Sequence, residues 1–494
     1  MLDGLSDTPG AGFLHGVAAG EPTSTSLALW TRFTTDAPNV ELRWEVSAEG
    51  AAGPARRGTV EIARVTDHTA TVLAADLQPG TEYRYRFRGP GGVASPEGRA
   101  RTLPDRASSL RIGVTTCARY AAGRFAAYRM LADERPDLVL HLGDYIYEDA
   151  VPFVGGRQPD PPWEPETLSD YRRRHACYAL DTDLRALHHV AAMQPVWDDH
   201  DVVDNVEHED EQRAWRRGRA GRQAWREWLP VLPVEERLTV ATAADDVAPG
   251  ELDRIMRIGG LADVIVIDTR YTGREPARSD GPSPAPRAGG ELLTPSQWSW
   301  LERVVRSSTA PWRIIANAVQ VAPMRLGYVP VPRRRPYAPV VNPDQWDGYP
   351  HERDRLYRLL DRTGPTLVLS GDLHSSWVHP LRHDGRDIAH ELTVSSVAGL
   401  TYAEAFTERT HLPPAVLRSA IRAFNRSLEF FDIDRHGYLV IDVADEACEV
   451  RFVLLDDIEP VTSAQWRLTP VPVRRPVAST WRRTVLASQT HPHG

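Results

Sequence analysis

LRIGVTTCARY (residues 110–120) and DLVLHLGDYIYE (137–148) each open on an apolar run and break into polar residues, the first at Cys117 and the second at Asp144. Between them FAAYRMLADE (125–134) has the pattern of a helix. Buried strand, helix, buried strand is the signature of a βαβ unit, and it predicts a layered α/β body. Apolar strands continue at LADVIVIDTR (261–270), WRIIANAVQ (312–320), PTLVLSGD (365–372) and HELTVSSV (390–397). GYLVIDV (437–443) and CEVRFVLLD (448–456) read as a closing hairpin. Helices are expected over 170–189, 211–229 and 296–307.

Upstream the pattern differs. SLALWTRF, VELRWEVSA, GTVEIAR, TATVLAADL and TEYRYRFRG, all before residue 90, are short alternating runs separated by turn residues. They predict a small all-β module of fibronectin or immunoglobulin type over 1–105, with Tyr83 placed as a tyrosine corner. The α/β body then spans 106–460. Residues 461–494, rich in Pro and Arg, are expected to be an irregular tail.

With 494 residues, 41% hydrophobic and 25% charged, the chain has the composition of a globular protein with two or three domains. A net charge of −9 argues against a general pull on nucleic acid or anionic lipid. No run of 18 apolar residues occurs, so no membrane span is expected. The start, MLDGLSDTPGAGFLHG, has no basic flank before an apolar region, which predicts a cytoplasmic chain as it stands. All 58 basic residues are Arg, which excludes lysine Schiff-base and P-loop chemistry. Three cysteines (Cys117, Cys177, Cys448) do not make a disulfide framework.

Ligands of open α/β sheets bind beyond the carboxyl ends of the strands. Here those ends carry Cys117, then Asp144 with Tyr145 and Tyr147, then Asp198-Asp199-His200-Asp201, then Asn317, then Asp372 and His374. A thiol and a phenol ionise near pH 8.5 and 10 when free, so a site using both needs a strong cation, such as trivalent iron. Asp144 has two oxygens and can bridge to a second ion, for which Asp199, Asp372 and Asn317 offer oxygen only. Such a set suits Ca2+, Mg2+ or Mn2+. Two cations a few ångströms apart clamp a phosphoryl group and activate water.

TTC, GDYIYE, WDDHD and SGDLHSS, in this order, resemble the PhoD-type alkaline phosphatases within the calcineurin-like metallophosphoesterases. FLHGVAAGEPTSTSLALWTR, VIDTRY and DQWDGYPHERDRL also resemble segments of that family. The resemblance covers about residues 12–460. It implies a four-layered α/β/β/α sandwich of two mixed sheets behind the small β-domain. It implies Fe3+ held by Cys117, Asp144, Tyr147 and His374. Ca2+, or Mg2+, Mn2+ or Zn2+ in its place, would be held by Asp144, Asp199 and Asp372, with Asn205 from the same loop. A metal-bound hydroxide would attack a small phosphate ester, and His200 would protonate the leaving group. Members of the family are secreted or periplasmic when an export signal is present.

Arg119 and Arg270 follow strand ends and are candidate phosphate contacts. Cys117 as a nucleophile is disfavoured, because the residue six beyond it, which a C-x5-R phosphatase needs as Arg, is Gly123. His188 and His189 are read as structural, cationic at a helix C-terminus. The Pro-rich basic loop 329–343 is either a wall of the mouth or a solvated loop. Two other functions remain open: a phosphodiesterase or phospholipase D-like activity on the same site, and a metal-stabilised binding protein without catalysis.

Overall fold

The computed structural model describes residues 12–151, 153, 156–204, 211–240, 248, 250–275, 277, 290–328, 341–445, 447–455 and 467–474. Seven strands come first: β1 (Val17–Gly20), β2 (Leu27–Arg32), β3 (Asn39–Ala48), β4 (Arg56–Ala63), β5 (Thr69–Ala74), β6 (Glu82–Arg88) and β7 (Gly98–Arg101). Along β3, Val40 and Leu42 are buried while Glu41 and Arg43 face water, the two-residue period of a half-buried strand. The sheet β4-β3-β6-β7 packs its inner face on β1, β2 and β5, with Leu42, Tyr85 and Phe87 against Leu27, Leu29 and Val72. Tyr83 is buried, and its hydroxyl accepts the Gln78 N–H at 2.7 Å.

The body follows: β8 (Ser109–Thr115), α1 (Ala126–Asp133), β9 (Leu138–Leu142), α2 (Leu168–Ala179), α3 (Thr182–Val190), β10 (Ala192–Val196), α4 (Glu211–Trp228), α5 (Val234–Val240), β11 (Arg254–Ile258), β12 (Ala262–Val266), α6 (Pro295–Ser307), β13 (Trp312–Ala316), α7 (Pro350–Leu360), β14 (Thr366–Ser370), β15 (Ser376–His383) and β16 (Arg386–Thr393). It closes with α8 (Tyr402–Thr410), α9 (Pro414–Phe424), β17 (Phe430–Asp432), β18 (His436–Ala444), β19 (Ala447–Leu455) and β20 (Arg467–Arg474).

Two sheets result. One has nine strands in the order β20-β19-β18-β8-β9-β10-β1-β2-β5, the other seven in the order β11-β12-β13-β14-β16-β15-β17. Both are mixed. The run expected as one helix over 170–189 is two, because the Asp181 carboxylate accepts the N–H groups of Asp183 and Leu184 and starts α3. Strand β20 falls in the segment expected to be irregular. Its Pro470 and Pro472 lack an N–H, and β20 is an edge strand, where a missing donor costs no ladder bond.

The layering is written in alternate residues. Val264, Val266, Ile314, Leu367 and Leu369 point to the nine-stranded sheet, whose Ile112, Val114, Leu138 and Leu140 meet them in one core. Ile265, Ile315 and Val368 point the other way, onto Trp298, Leu301, Val304 and Val305 of α6 and Leu356 and Leu360 of α7. Helices α1, α3 and α4 cover the outer face of the nine-stranded sheet. These are the four layers α/β/β/α. Each buried side chain of this size contributes roughly 1.5–3 kcal/mol over its exposed state.

The β-domain is joined to the body by a strand pair. β1 runs parallel to β10, with Ala19 opposite Ala192 and Gly20 opposite Met193, so the larger sheet crosses residue 105 without a break. Among the described residues no helix is long and apolar enough to cross a membrane.

Candidate metal centre

The parallel strands β8, β9, β10, β13 and β14 all end near one rim. Just past these ends four residues have left-handed backbone: Cys117 (φ 55°), Asp144 (φ 54°), Asp372 (φ 65°) and His374 (φ 50°). Residues other than glycine avoid this region, and such strain gathers where surrounding structure forces a side chain into a working position. The forcing is visible. The Cys117 N–H donates to the Gly143 carbonyl and the Ala118 N–H to that of Asp144, while Ala398 donates to the Cys117 carbonyl. A Cβ on Gly143 would lie 2.4 Å from the Asp198 Cβ, and one on Gly371 would lie 2.5 Å from Thr116 Oγ1. Only glycine lets these turns close on one another.

The result is a compact set. Cys117 Sγ, an Asp144 oxygen and a His374 ring nitrogen lie within 4.8 Å of one another. The Tyr147 hydroxyl donates to Asp144 Oδ2 at 2.8 Å and lies 2.8 Å from His374 Nε2. His374 Nδ1 donates to the Leu400 carbonyl at 2.6 Å, which leaves Nε2 with its lone pair toward the cluster. A second set, Asp198, Asp199 and Asp372, meets the same 4.8 Å limit, and so does a third, Asp144, Asp199 and His200. Asp144 therefore belongs to the first set and the third, and Asp199 links the third to the second.

Counting donors against acceptors shows what the centre lacks. Sulfur, carboxylate, imidazole nitrogen and phenol oxygen converge with few protons among them. Asp144 is 1% exposed, and its Oδ1 has no hydrogen-bond partner among the described residues. Burial, then the Asp144 charge, pushes the Cys117 thiol up. Burial, then the same charge, does so for Tyr147. Burial raises Asp144 well above the carboxylate range, with Asp199, Asp201 and Asp372 adding to it against an opposing effect of His200. Burial raises Asp372 to about 6 and lowers His374 to about 4, so the imidazole is in its neutral, metal-binding form. A bound cation reverses the sign at each acid. The donor set fits one: S, N and O around one position suit a ferric or other strong Lewis acid, and the oxygen-only half suits a hard divalent ion.

The chain's matches to known proteins agree with this geometry. The sequence profile of the PhoD-like phosphatase family matches residues 112–452, and that of the PhoD-like phosphatase N-terminal domain matches residues 5–104. This chain belongs to the PhoD-like phosphatase family. Alkaline phosphatase D of Bacillus subtilis (strain 168) is 32% identical over 415 residues, which span 79% of this chain and 68% of that protein. The solved structure of PhoD superposes with a TM-score of 0.78 at 28% identity, covering 95% of this chain and 92% of that one. Purple acid phosphatase PPD1 from yellow lupin (Lupinus luteus) seeds shares the fold, with a TM-score of 0.52 at 13% identity over 88% of this chain and 71% of that one.

In this PhoD-like phosphatase, Cys117, Asp144, Tyr147, Asp199, His200, Asp372 and His374 come together. Asn205 lies outside the described residues, as do 329–340 of the Pro-rich loop. Arg119 stands at the edge, paired to Asp149 at 2.6 Å, with its guanidinium over the rings of Tyr147 and Phe153. Arg270 does not face an open site. It is buried against Asp198 and Asp344, 3.5 Å from Asp199 and 3.7 Å from Asp372. Its strand-end position is as read from the sequence, but its charge is committed to four carboxylates. Asn317 uses both ends of its amide inside the scaffold, donating to the Leu369 carbonyl and accepting from Trp346 Nε1. His188 is structural but not cationic: burial, then the neighbouring His189, lowers it to about 3, and it bonds Tyr145 instead.

Sequence reasoning assigned no role to four contributors. Asp198 is fully buried in the second set. Glu148 Oε2 binds His200 Nδ1 at 2.8 Å, and its Oε1 accepts the Asp204 N–H. Asp201 accepts the N–H groups of Asp144, Ile146 and Asp198, tying two ligand turns together. Gln345 donates to Asp372 Oδ2 at 2.6 Å. Each lies in a quoted motif (GDYIYE, WDDHD, DQWDGYPHERDRL), and an acidic or amide residue next to a ligand was the available signal.

Proposed function

We propose that this phosphatase hydrolyses phosphate esters at a two-cation centre, with Fe3+ held by Cys117, Asp144, Tyr147 and His374. The second cation is held by Asp144, Asp199 and Asp372, with Asn205 as an expected addition; Ca2+ is the first choice, then Mg2+, Mn2+ or Zn2+. The observation that carries this reading is Asp144, a buried carboxylate that groups with Cys117 and His374 on one side and with Asp199 and His200 on the other, one of whose oxygens has no hydrogen-bond donor among the described residues. Cations held there supply positive charge against the charge that builds on the phosphoryl oxygens, and they lower the pKa of water.

The chain's own residues do the rest. His200 is stacked on the Tyr147 ring, with centroids 4.2 Å apart, and is held in place by Glu148. Burial opposes its charge, but Glu148 and then Asp144 outweigh that and raise its pKa well above the ordinary value. A protonated imidazole beside the centre is the acid for the departing ester oxygen. Arg119, released from Asp149, is placed to take a phosphate oxygen. Arg270 keeps Asp198, Asp199 and Asp372 together by offsetting their mutual repulsion.

The test is elemental analysis of protein purified without chelators, paired with turnover of 4-nitrophenyl phosphate and of bis-4-nitrophenyl phosphate. The expected result is iron plus a divalent metal, visible absorption from thiolate and phenolate bound to ferric iron, and faster turnover of the monoester. A colourless, iron-free and fully active enzyme would overturn the iron assignment. Full metal occupancy with no turnover of either ester would overturn the hydrolase.

A further inference from the structure

A cavity of about 380 Å3 lies where the β-domain meets the body, and it shares no lining residue with the metal centre. It is walled by the turn Glu21–Ser24, the link Leu103–Asp105, Gln194 of β10, Arg237 of α5 and the strand β11. Its volume falls in the range of small-molecule sites, roughly 300–1,000 Å3.

Its polar groups are not those of a closed structural junction. Arg254 is 8% exposed. Its Nε donates to the Leu252 carbonyl, and its Nη1 binds Gln194 Oε1 at 3.0 Å and Glu21 Oε1. Its Nη2 has no hydrogen-bond partner among the described residues; the same holds for Arg237 Nε and Glu21 Oε2. Two guanidinium donors and one carboxylate acceptor, buried and unsatisfied, thus sit in the wall that this cavity shares with a second of about 280 Å3, a costly arrangement without a ligand. Glu21 is also held in left-handed backbone, φ 44°. Burial, then the facing Arg254, lowers Arg237 to about 10. Of the charged lining residues, Arg257 is paired to Asp263 at 3.4 Å, which leaves Arg237 and Arg254 against Glu21 and Asp105, a balanced lining. Leu103, Leu232, Ile255 and Met256 make the rest of the wall apolar.

We propose that this cavity binds a small organic monocarboxylate carrying an apolar body and a hydroxyl group. The carboxylate takes the free N–H groups of Arg254 and Arg237, whose planar donors match its oxygens. The hydroxyl donates to Glu21 Oε2. The apolar body lies on Met256, whose side chain shares the Arg254 face of β11. A monocarboxylate matches the planar donors and brings one negative charge into a balanced lining, whereas a phosphomonoester dianion brings two, so this site is distinct in its ligand from the metal centre.

The experiment is calorimetric titration of the metal-loaded full chain with 3-phenyllactate, 3-phenylpropionate and 3-phenyllactamide, in saturating inorganic phosphate. The expected result is one saturable site for 3-phenyllactate with Kd about 1 mM or tighter, and at least roughly tenfold weaker binding of each control. Arg237→Gln should weaken 3-phenyllactate about tenfold and leave turnover of 4-nitrophenyl phosphate unchanged. Met256→Trp fills the cavity without touching a charge and should abolish binding, which covers the case that Arg237→Gln misfolds. Absence of saturable binding of 3-phenyllactate overturns the proposal. So does its displacement by phosphate, or undiminished binding to the folded variants.

Discussion

Asp144 follows a glycine in left-handed backbone, belongs to the first and third ligand sets and is crowded by Asp199, Asp201 and Asp372. That crowding gives one substitution two opposite effects. Asp144→Asn should lower turnover by about three orders of magnitude or more, because the carboxylate that would serve both proposed cations loses its charge. In chelator the same variant should melt above chelated wild type, because it no longer carries a buried carboxyl that must take up a proton to fold. Equal melting temperatures in chelator would show that the carboxylates are not strained without metal. Glu148→Gln removes the charge that holds His200 protonated. Its alkaline activity limb should move to lower pH, with kcat down about tenfold on phenyl phosphate and less on 4-nitrophenyl phosphate, whose leaving group needs no proton. An unmoved limb would remove His200 from the acid role. The strand-end residues of this site were legible because Cys, Tyr, Asp and His seldom follow five apolar strands in turn. Asp198 and Glu148 were not, since sorting adjacent acids requires the direction each side chain takes as the turn closes. Arg270 was read as a phosphate contact because nothing in its own segment announces the carboxylates of Asp198, Asp199, Asp344 and Asp372 that surround it.

Between the two sheets the contacts are set by small residues and single buried acids. Gly371→Ala places a methyl group against Thr116, so the turn carrying Asp372 and the turn carrying Cys117 must part. The expected loss is about 1–3 kcal/mol of stability, with weakened metal retention, read by chemical denaturation and by metal analysis after dialysis. Glu391 on β16 is fully buried and accepts the N–H groups of Val321 and Ala322 and the Ser370 hydroxyl, fixing the chain that follows β13. Burial raises its pKa from 4.5 to about 7, against those hydrogen bonds. The folded state therefore holds a proton that the unfolded chain releases. This contribution is complete below pH 4.5 and disappears as pH rises through 7. Glu391→Gln should lack this slope, so that relative to wild type the variant gains thermal stability from pH 5 to pH 7.5; parallel curves would place the proton elsewhere. Strands of this body were legible from apolar runs of five residues. The helix break at Asp181 was not, because LDTD carries no glycine or proline and its cap competes with helical periodicity on both sides.

Across the whole molecule, the nine-stranded sheet makes the β-domain and the body one cooperative unit. A fragment of residues 106–460 exposes the β10 edge that β1 covers, and it should aggregate or fail to fold. The intact chain should unfold in one calorimetric transition. Two separated transitions, or a soluble and active fragment, would show that β1–β10 pairing is dispensable. The two sequence patterns that meet near residue 105 were legible from the change in periodicity. The bond between them was not, because VAAG is four small residues with no local mark of a distant partner. The same sheet constrains the order of events during synthesis. β8, which leads to Cys117, gains its neighbour β18 only through contacts such as Arg111 with Asp442, 331 residues later. A ribosome must therefore release nearly all of the polypeptide before that edge is sealed, well after His374 has emerged. Assembly of the rim that carries Cys117, Asp144 and His374 is then a late event, completed on a nearly finished chain.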